Sequence, residues 1–410
     1  MEKLLITNIG TLATPQGSEA KRGKAQGEIL ILKDAWILVR DGMIAQVGTG
    51  APGEDVRQGA EILDAGGRLV TPGLVDAHTH LIFGGWRQNE LGRKLHGATY
   101  LEILASGGGI HSTVKSTREA TEEELTKKAS AALDEMLAFG TTTCEAKSGY
   151  GLALDQELKQ LRAIRELNRR HAMDLVPTFL GAHALPQEYK DNREEYLRML
   201  CEEMIPTVAE QKLANYCDVF CETGVFTAAE SRRILEQGKK YGLLPKIHAD
   251  EIDPIGGSQL AGEIGAVSAE HLIVCPPEGI ASMAKGGTVA CLLPATSFYL
   301  GSTFAPARDM VNAGVPVAMA SDFNPGSCPC LNLQLVINLG CLKYRLTPEE
   351  VLTAVTLNGA AAIGMADRVG SAENGKQGDL VIWDAPDLEY ICYRMGSNLA
   401  RTVIKRGKPV

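Results

Sequence analysis

The sequence predicts a (β/α)8 barrel carrying a small β-sandwich that is built from both chain ends. Three observations predict it. Eight strand candidates alternate with helical patterns through the middle of the chain, over about 250 residues, a span typical of that barrel. The two chain ends instead hold short strand-like runs separated by turns. Five of the eight histidines, His78, His80, His183, His248 and His271, fall where central strands would end, as expected if those ends share one mouth. An open doubly wound sheet is the competing arrangement.

Leu4–Thr7, Ile29–Leu32, Trp36–Arg40, Met43–Gly48 and Glu61–Asp64 are apolar or alternating runs broken by Gly, Asp and Pro. Asp379–Trp383, Tyr390–Tyr393 and Arg401–Gly407 read the same way, after the loop Ser371–Gly378. Residues 1–70 and 366–410 are therefore expected to form one composite β-sandwich, flanking a barrel over 71–365. Barrel strands are expected at 74–80, 141–147, 174–182, 217–222, 244–250, 268–274, 288–293 and 316–322. Patterns rich in Glu, Lys, Ala and Leu predict helices at 121–139, 155–171, 192–213, 228–241 and 348–363. The connection between the first two barrel strands is longer than a barrel needs, and Gly107–Gly109 within it reads as a flexible loop over the site.

A chain of 410 residues with 45% hydrophobic and 22% charged residues has the make-up of a globular protein with a large core. Aromatic residues at 5% and a net charge of −9 argue against nucleic acid and anionic membrane as partners. A small anionic substrate needs only one well-placed Arg. The N-terminal apolar run is too short for a signal peptide, and no stretch reaches transmembrane length. The ten scattered cysteines read as free thiols, which suits the cytoplasm. Cys328-Pro-Cys330 is the one cysteine pair placed where a ligand role is worth testing.

The chemistry is concentrated at the strand ends. In Thr71–His80 a Pro-Gly turn releases an apolar run that ends in His78 and His80. Residues two apart on a strand face the same side, so both rings can serve one ion. Other strand ends supply Lys147–Gly151, Gly181–His183, His248–Glu251, Glu270-His271 and Ser321–Gly326. Three histidines and one aspartate suit Zn²⁺ or Fe²⁺ better than Mg²⁺ or Ca²⁺. His78, His80, His248 and Asp322 are the candidate ligands, and a cation there lowers the pKa of a water until hydroxide is available near neutral pH. Glu251 is the candidate proton shuttle to a leaving nitrogen. His271 is the second candidate, for orienting or deprotonating the attacking water. Asp76, of the same parity as His78, is a supporting or a structural carboxylate.

These residues carry a resemblance. Pro72–His80, His248, His271 and Asp322 match the amidohydrolase superfamily, whose catalytic centre includes Asp322. Lys147–Leu152, Thr178–Pro186 and Ser321–Gly326 resemble, more narrowly, the imidazolonepropionase family of L-histidine degradation. The resemblance spans nearly the whole chain and implies a TIM barrel of the amidohydrolase type with one Zn²⁺ or Fe²⁺/Fe³⁺ ion per subunit. It also implies a homodimer and a small anionic imidazolone substrate, 4-imidazolone-5-propanoate, opened at its ring amide C–N bond to N-formimidoyl-L-glutamate. Arg87 matches the family's substrate arginine and offers a two-pronged fork for the propanoate. Tyr150, His183, Glu251, Asn324, Gly326 and Ser327 match substrate-contacting positions, and Tyr100 in the long loop is a weaker match. At 327 the family more often has Thr, and the hydroxyl survives here.

Three alternatives stay open. A cyclic-amide hydrolase with two metals bridged by a modified lysine would place that lysine on the fourth barrel strand, but Cys217–Glu222 has none. A nucleobase deaminase shares the His-x-x-Glu spacing of 248–251. An inactive scaffold acting as an interaction protein would have lost ligands that this chain keeps.

Overall fold

The central runs form eight parallel strands in sequence order: β5 (Leu74–Asp76), β6 (Thr141–Lys147), β7 (Asp174–Ala182), β8 (Tyr216–Cys221), β9 (Leu244–Ala249), β10 (Ser268–His271), β11 (Val289–Leu292) and β12 (Val317–Met319). A computed structural model gives this structure for residues 2–97 and 108–410. Each strand hydrogen-bonds to the next from β5 to β12. The ring closes just beyond the ends of its first and last strands, where Thr79 and Phe323 form a parallel bridge. There the Asp322 N–H donates to the His78 carbonyl (3.1 Å) and the His80 N–H to the Phe323 carbonyl (2.9 Å). The expected barrel is the observed one.

Helices cover its outer face because their sequences start and pack correctly. Thr121/Glu124, Thr227/Glu230 and Thr347/Glu350 each form a reciprocal cap at a helix start, satisfying otherwise orphaned N–H groups. In the helix Glu122–Ala138, Leu125, Ala129, Leu133 and Met136 recur at helical spacing and are buried. The helical run expected at 192–213 is Arg193–Met199 and Ile205–Glu210 joined through a π-helical turn at Leu200–Met204.

A second sheet draws on both ends of the chain. It contains β1 (Lys3–Thr14), β2 (Leu30–Arg40), β3 (Met43–Thr49), β4 (Glu61–Pro72), β13 (Leu380–Trp383), β14 (Ala400–Lys405) and β15 (Lys408–Pro409). Their order is β15-β14-β13-β4-β1-β2-β3. Leu4, Ile6, Ile37 and Val39 enter one apolar cluster while Leu5, Trp36 and Leu38 enter another, the alternation of a sheet buried on both faces. At the foot of the barrel, Lys405 Nζ reaches Asp174 (2.7 Å) and Asp379 (2.6 Å), fastening β14 to the start of β7.

One expected strand is a helix. Tyr390–Tyr393 lies within the helix Leu388–Tyr393, because the Asp387 side chain accepts from the Tyr390 N–H and starts a turn. Leu388, Ile391 and Cys392 then share a buried face at offsets of three and four, which a strand would split between two faces.

Candidate metal centre

His78 and His80 follow β5, His248 lies on β9, and Asp322 follows β12. All four are buried and face one another at the C-terminal mouth. His80 Nε2 lies 3.3 Å from His248 Nε2, and Asp322 Oδ1 lies 3.5 Å from His78 Nε2 and 3.6 Å from His80 Nε2. A tetrahedral ion with bonds of about 2.0–2.1 Å spaces its ligand atoms about 3.3–3.4 Å apart; His78, His80 and Asp322 form one group able to hold a cation, and His78, His248 and His271 form another that shares His78. Both nitrogens of His78, Nδ1 of His80 and Oδ1 of Asp322 are buried without a hydrogen-bond partner. Such atoms cost about 1–3 kcal/mol each when left bare, and a cation is the partner this donor set suits.

The electrostatics prepare the rings to bind. Burial, then the Lys147 charge, holds the His78 pKa well below the ordinary value, and burial with His183 does the same for His80. Both are therefore neutral imidazoles, the form that ligates. On His248 burial also opposes charge, but Asp218 beside it prevails and the pKa rises. The Asp322 carboxyl is raised by burial, and Thr296 Oγ1 donates to its Oδ2 (2.6 Å). His271 and Asp322 hold left-handed backbones, with φ of 68° and 56°. Strained non-glycine residues of this kind gather at functional sites.

Glu251 and His271 meet at the same mouth, with Glu251 Oε2 3.7 Å from His271 Nε2. Burial pushes the Glu251 pKa up to about 7 and the His271 pKa down to about 3. His183 stacks on His80 at 4.8 Å between ring centroids, and its Nδ1 lies 3.0 Å from the Gly149 carbonyl. Tyr150 sits 5.2 Å from the His183 ring. Arg87 packs on the Gly326 turn so closely that a methyl group at 326 would overlap its guanidinium. Its charge contributes to lowering the His183 pKa, and its Nε is 3.9 Å from Glu90.

Asn324 is committed to its own turn. It accepts from the Gly326 and Ser327 N–H groups (2.8 and 2.7 Å) and donates to the Asp322 carbonyl and to Ser327 Oγ (2.8 and 2.9 Å). Asp76 stands behind the mouth and accepts from the Ser321 N–H (3.0 Å). Cys328 lies with its Sγ 3.1 Å from the Ser321 carbonyl, and all ten cysteines are unpaired. Among the described residues, no cysteine joins a group able to hold a metal. Tyr100 and Gly107 lie outside the described residues.

A set of buried charges beneath the mouth went unassigned in the sequence. Lys147 Nζ reaches Asp218 and Glu145 at 2.8 Å each, and Lys246 Nζ reaches Glu145 at 3.0 Å and Glu270 at 3.4 Å. All five are fully buried. Burial pulls the Lys147 pKa down, yet Asp218 and Glu145 more than offset this and keep it a charged ammonium. The legible signal was parity: Glu145 and Lys147, or Lys246 and His248, share the inward face of one strand.

A family model described as "Amidohydrolase family" matches residues 69–410. The imidazolonepropionase of Alkaliphilus metalliredigens is 51% identical over 414 residues, covering 100% of this chain and 98% of that protein. The imidazolonepropionase of Brevibacillus brevis is 52% identical over 408 residues, covering 98% and 96%. Among solved structures, the zinc complex of atrazine chlorohydrolase from Arthrobacter aurescens superposes with a TM-score of 0.72 at 18% identity, covering 99% of this chain and 94% of that one. At that identity the likeness concerns the fold alone. With the family model over most of the chain and half of all positions shared with those relatives, the chain belongs to the amidohydrolase family and, within it, to the imidazolonepropionases.

Proposed function

We propose that this protein hydrolyses the ring amide C–N bond of 4-imidazolone-5-propanoate, giving N-formimidoyl-L-glutamate, with one zinc or iron ion held by His78, His80, His248 and Asp322. The observation that carries the reading is identity of about one residue in two, over the full chain, to proteins named imidazolonepropionase. The mouth offers matching chemistry. A bound cation supplies an activated water near neutral pH and polarises the ring carbonyl.

The chain's own side chains do the rest. Arg87 binds the propanoate carboxylate and fixes the ring's orientation. Tyr150 and His183, packed side by side against His80, offer polar tips to the ring. Glu251 begins as a carboxylate, takes a proton from the attacking water and delivers it to the ring nitrogen as the C–N bond breaks. His271, within reach of Glu251, orients that water. The turn Asn324–Ser327 shapes the wall against which Arg87 rests, and Asp322 is the alternative to Glu251 as acceptor of the attacking water's proton. Ten unpaired thiols agree with a cytoplasmic enzyme, and a homodimer is the assembly the family implies. No helix among the described residues is long and apolar enough to cross a membrane.

The test is turnover of freshly generated imidazolonepropanoate, with bound metal measured on the same sample. Ring opening at about one equivalent of zinc or iron is the expected result. A metal-loaded protein that leaves imidazolonepropanoate intact but releases ammonia from a nucleobase would replace this reading with a deaminase.

A further inference from the structure

The three histidines of the metal centre are not held alike. Nδ1 of His78 and of His80 is buried with no hydrogen-bond partner, whereas Nδ1 of His248 faces the Asp218 carboxylate, 3.0 Å from Oδ2 and 3.2 Å from Oδ1. A neutral imidazole has one donor and one acceptor nitrogen, and a carboxylate only accepts. In its neutral, ligating form His248 therefore carries its proton on Nδ1 and its lone pair on Nε2, which lies 3.3 Å from His80 Nε2.

Asp218 is itself fixed by two further donors. Its Oδ2 accepts from Lys147 Nζ at 2.8 Å, its Oδ1 accepts from the Val219 N–H at 2.7 Å, and it has no solvent exposure. A buried carboxylate without a counter-charge is strongly unfavourable, and Lys147 supplies the charge. Lys147 is held in turn by Glu145, which also accepts from Thr178 Oγ1 (2.5 Å) and from Lys246. The chain of alternating charges crosses β6, β8, β9 and β10; Asp218 meets Nδ1 of His248 directly, and Glu270 stands within 4.8 Å of the same pair.

We propose that Asp218 and Lys147 are positioning residues for the metal: Lys147 holds Asp218, and Asp218 sets the tautomer and plane of His248 so that Nε2 is presented to the ion. Lys147 thereby governs metal retention without touching the ion or the substrate. The inference rests on His248 being a ligand, as proposed above. Partners behind a ligating histidine commonly change metal affinity by about 10–100-fold when removed.

The experiment compares metal-loaded wild type with Asp218→Asn, Lys147→Met, the double variant and His248→Ala. Each is held against the chelator dipicolinate, with metal loss followed by elemental analysis and thermal unfolding recorded on the metal-free form of the same sample. Asp218→Asn and Lys147→Met should each lose metal about 10–100-fold more readily than wild type. The double variant should lose metal by less than the two single effects combined, because the one hydrogen-bonded route from Lys147 to a ring of the centre runs through Asp218. Asp218→Asn keeps the side chain's size, so it decides the question even where Lys147→Met does not fold. Asp218→Asn retaining metal like wild type, while His248→Ala loses it, overturns the proposal, as do additive losses in the double variant. Metal retained by His248→Ala overturns the ligand assignment instead.

Discussion

Two buried charge clusters lie at opposite ends of the barrel, and they differ in one respect. At the foot, Lys405, Asp174 and Asp379 are joined by ion pairs of 2.7 and 2.6 Å, the Arg406 N–H donates to Asp379 (2.8 Å), and the Arg406 guanidinium pairs with Asp174. None of these side chains leaves a buried polar atom unpartnered. At the mouth, His78, His80, His271 and Asp322 all do. The foot is complete as it stands and joins the terminal sheet to the barrel. The mouth is complete only with something added. Burial and charge are common to the two ends, and what sets these four mouth side chains apart from the foot is their unmet hydrogen-bonding capacity.

That contrast can be broken by substitution. Asp322→Asn should have the largest effect, removing bound metal and turnover together while the metal-free protein keeps its unfolding midpoint, as elemental analysis beside calorimetry would register. Glu251→Gln comes next, with kcat lower by about 10²–10⁴-fold at unchanged metal content. Because burial raises the Glu251 pKa to about 7 and the group must start as a carboxylate, kcat/KM should rise as pH climbs through about 7. A pH profile of Glu251→Gln should lack that inflection, and its survival there would assign it to another group.

At the foot the pattern reverses. Lys405→Met leaves the buried Asp379 without its counter-charge, while Asp174 keeps Arg406, and should cost about 3–5 kcal/mol of unfolding free energy, read from urea denaturation, with metal content per folded chain unchanged. A loss of metal there would mean the two ends are not independent. Arg87→Ala is the mildest, removing charge-assisted bonds worth about 1.5–3 kcal/mol. It should appear as a KM about 10–100-fold higher with metal retained, and a fall in kcat alone would move Arg87 from binding to chemistry.

How much of this was legible beforehand varies by residue. β6 and β7 occupy the spans expected for them, because short runs rich in β-branched or apolar residues and bounded by turns leave few alternatives. His78 and His80 stood out by their spacing of two, although the strand expected over 74–80 stops at Asp76 and both rings lie just beyond it. Tyr390–Tyr393 misled because four apolar residues fit either period, and the deciding feature was a cap at Asp387. Lys147 and Asp218 were visible as residues but not as a pair, since no local pattern says that β6 and β8 bring them together across β7. The role of Asn324 within its own turn is likewise a matter of backbone geometry that sequence does not print.

The bridge between Thr79 and Phe323 has a wider consequence. His78 and His80 flank it on one side and Asp322 on the other, so the cage straddles the seam where the first and last strands of the ring meet. An ion placed there rivets the circle shut. A chain cut short before the final strand lacks one ligand and the wall that would carry it. With the ligands proposed here, the centre is complete only when both ends of the ring have met.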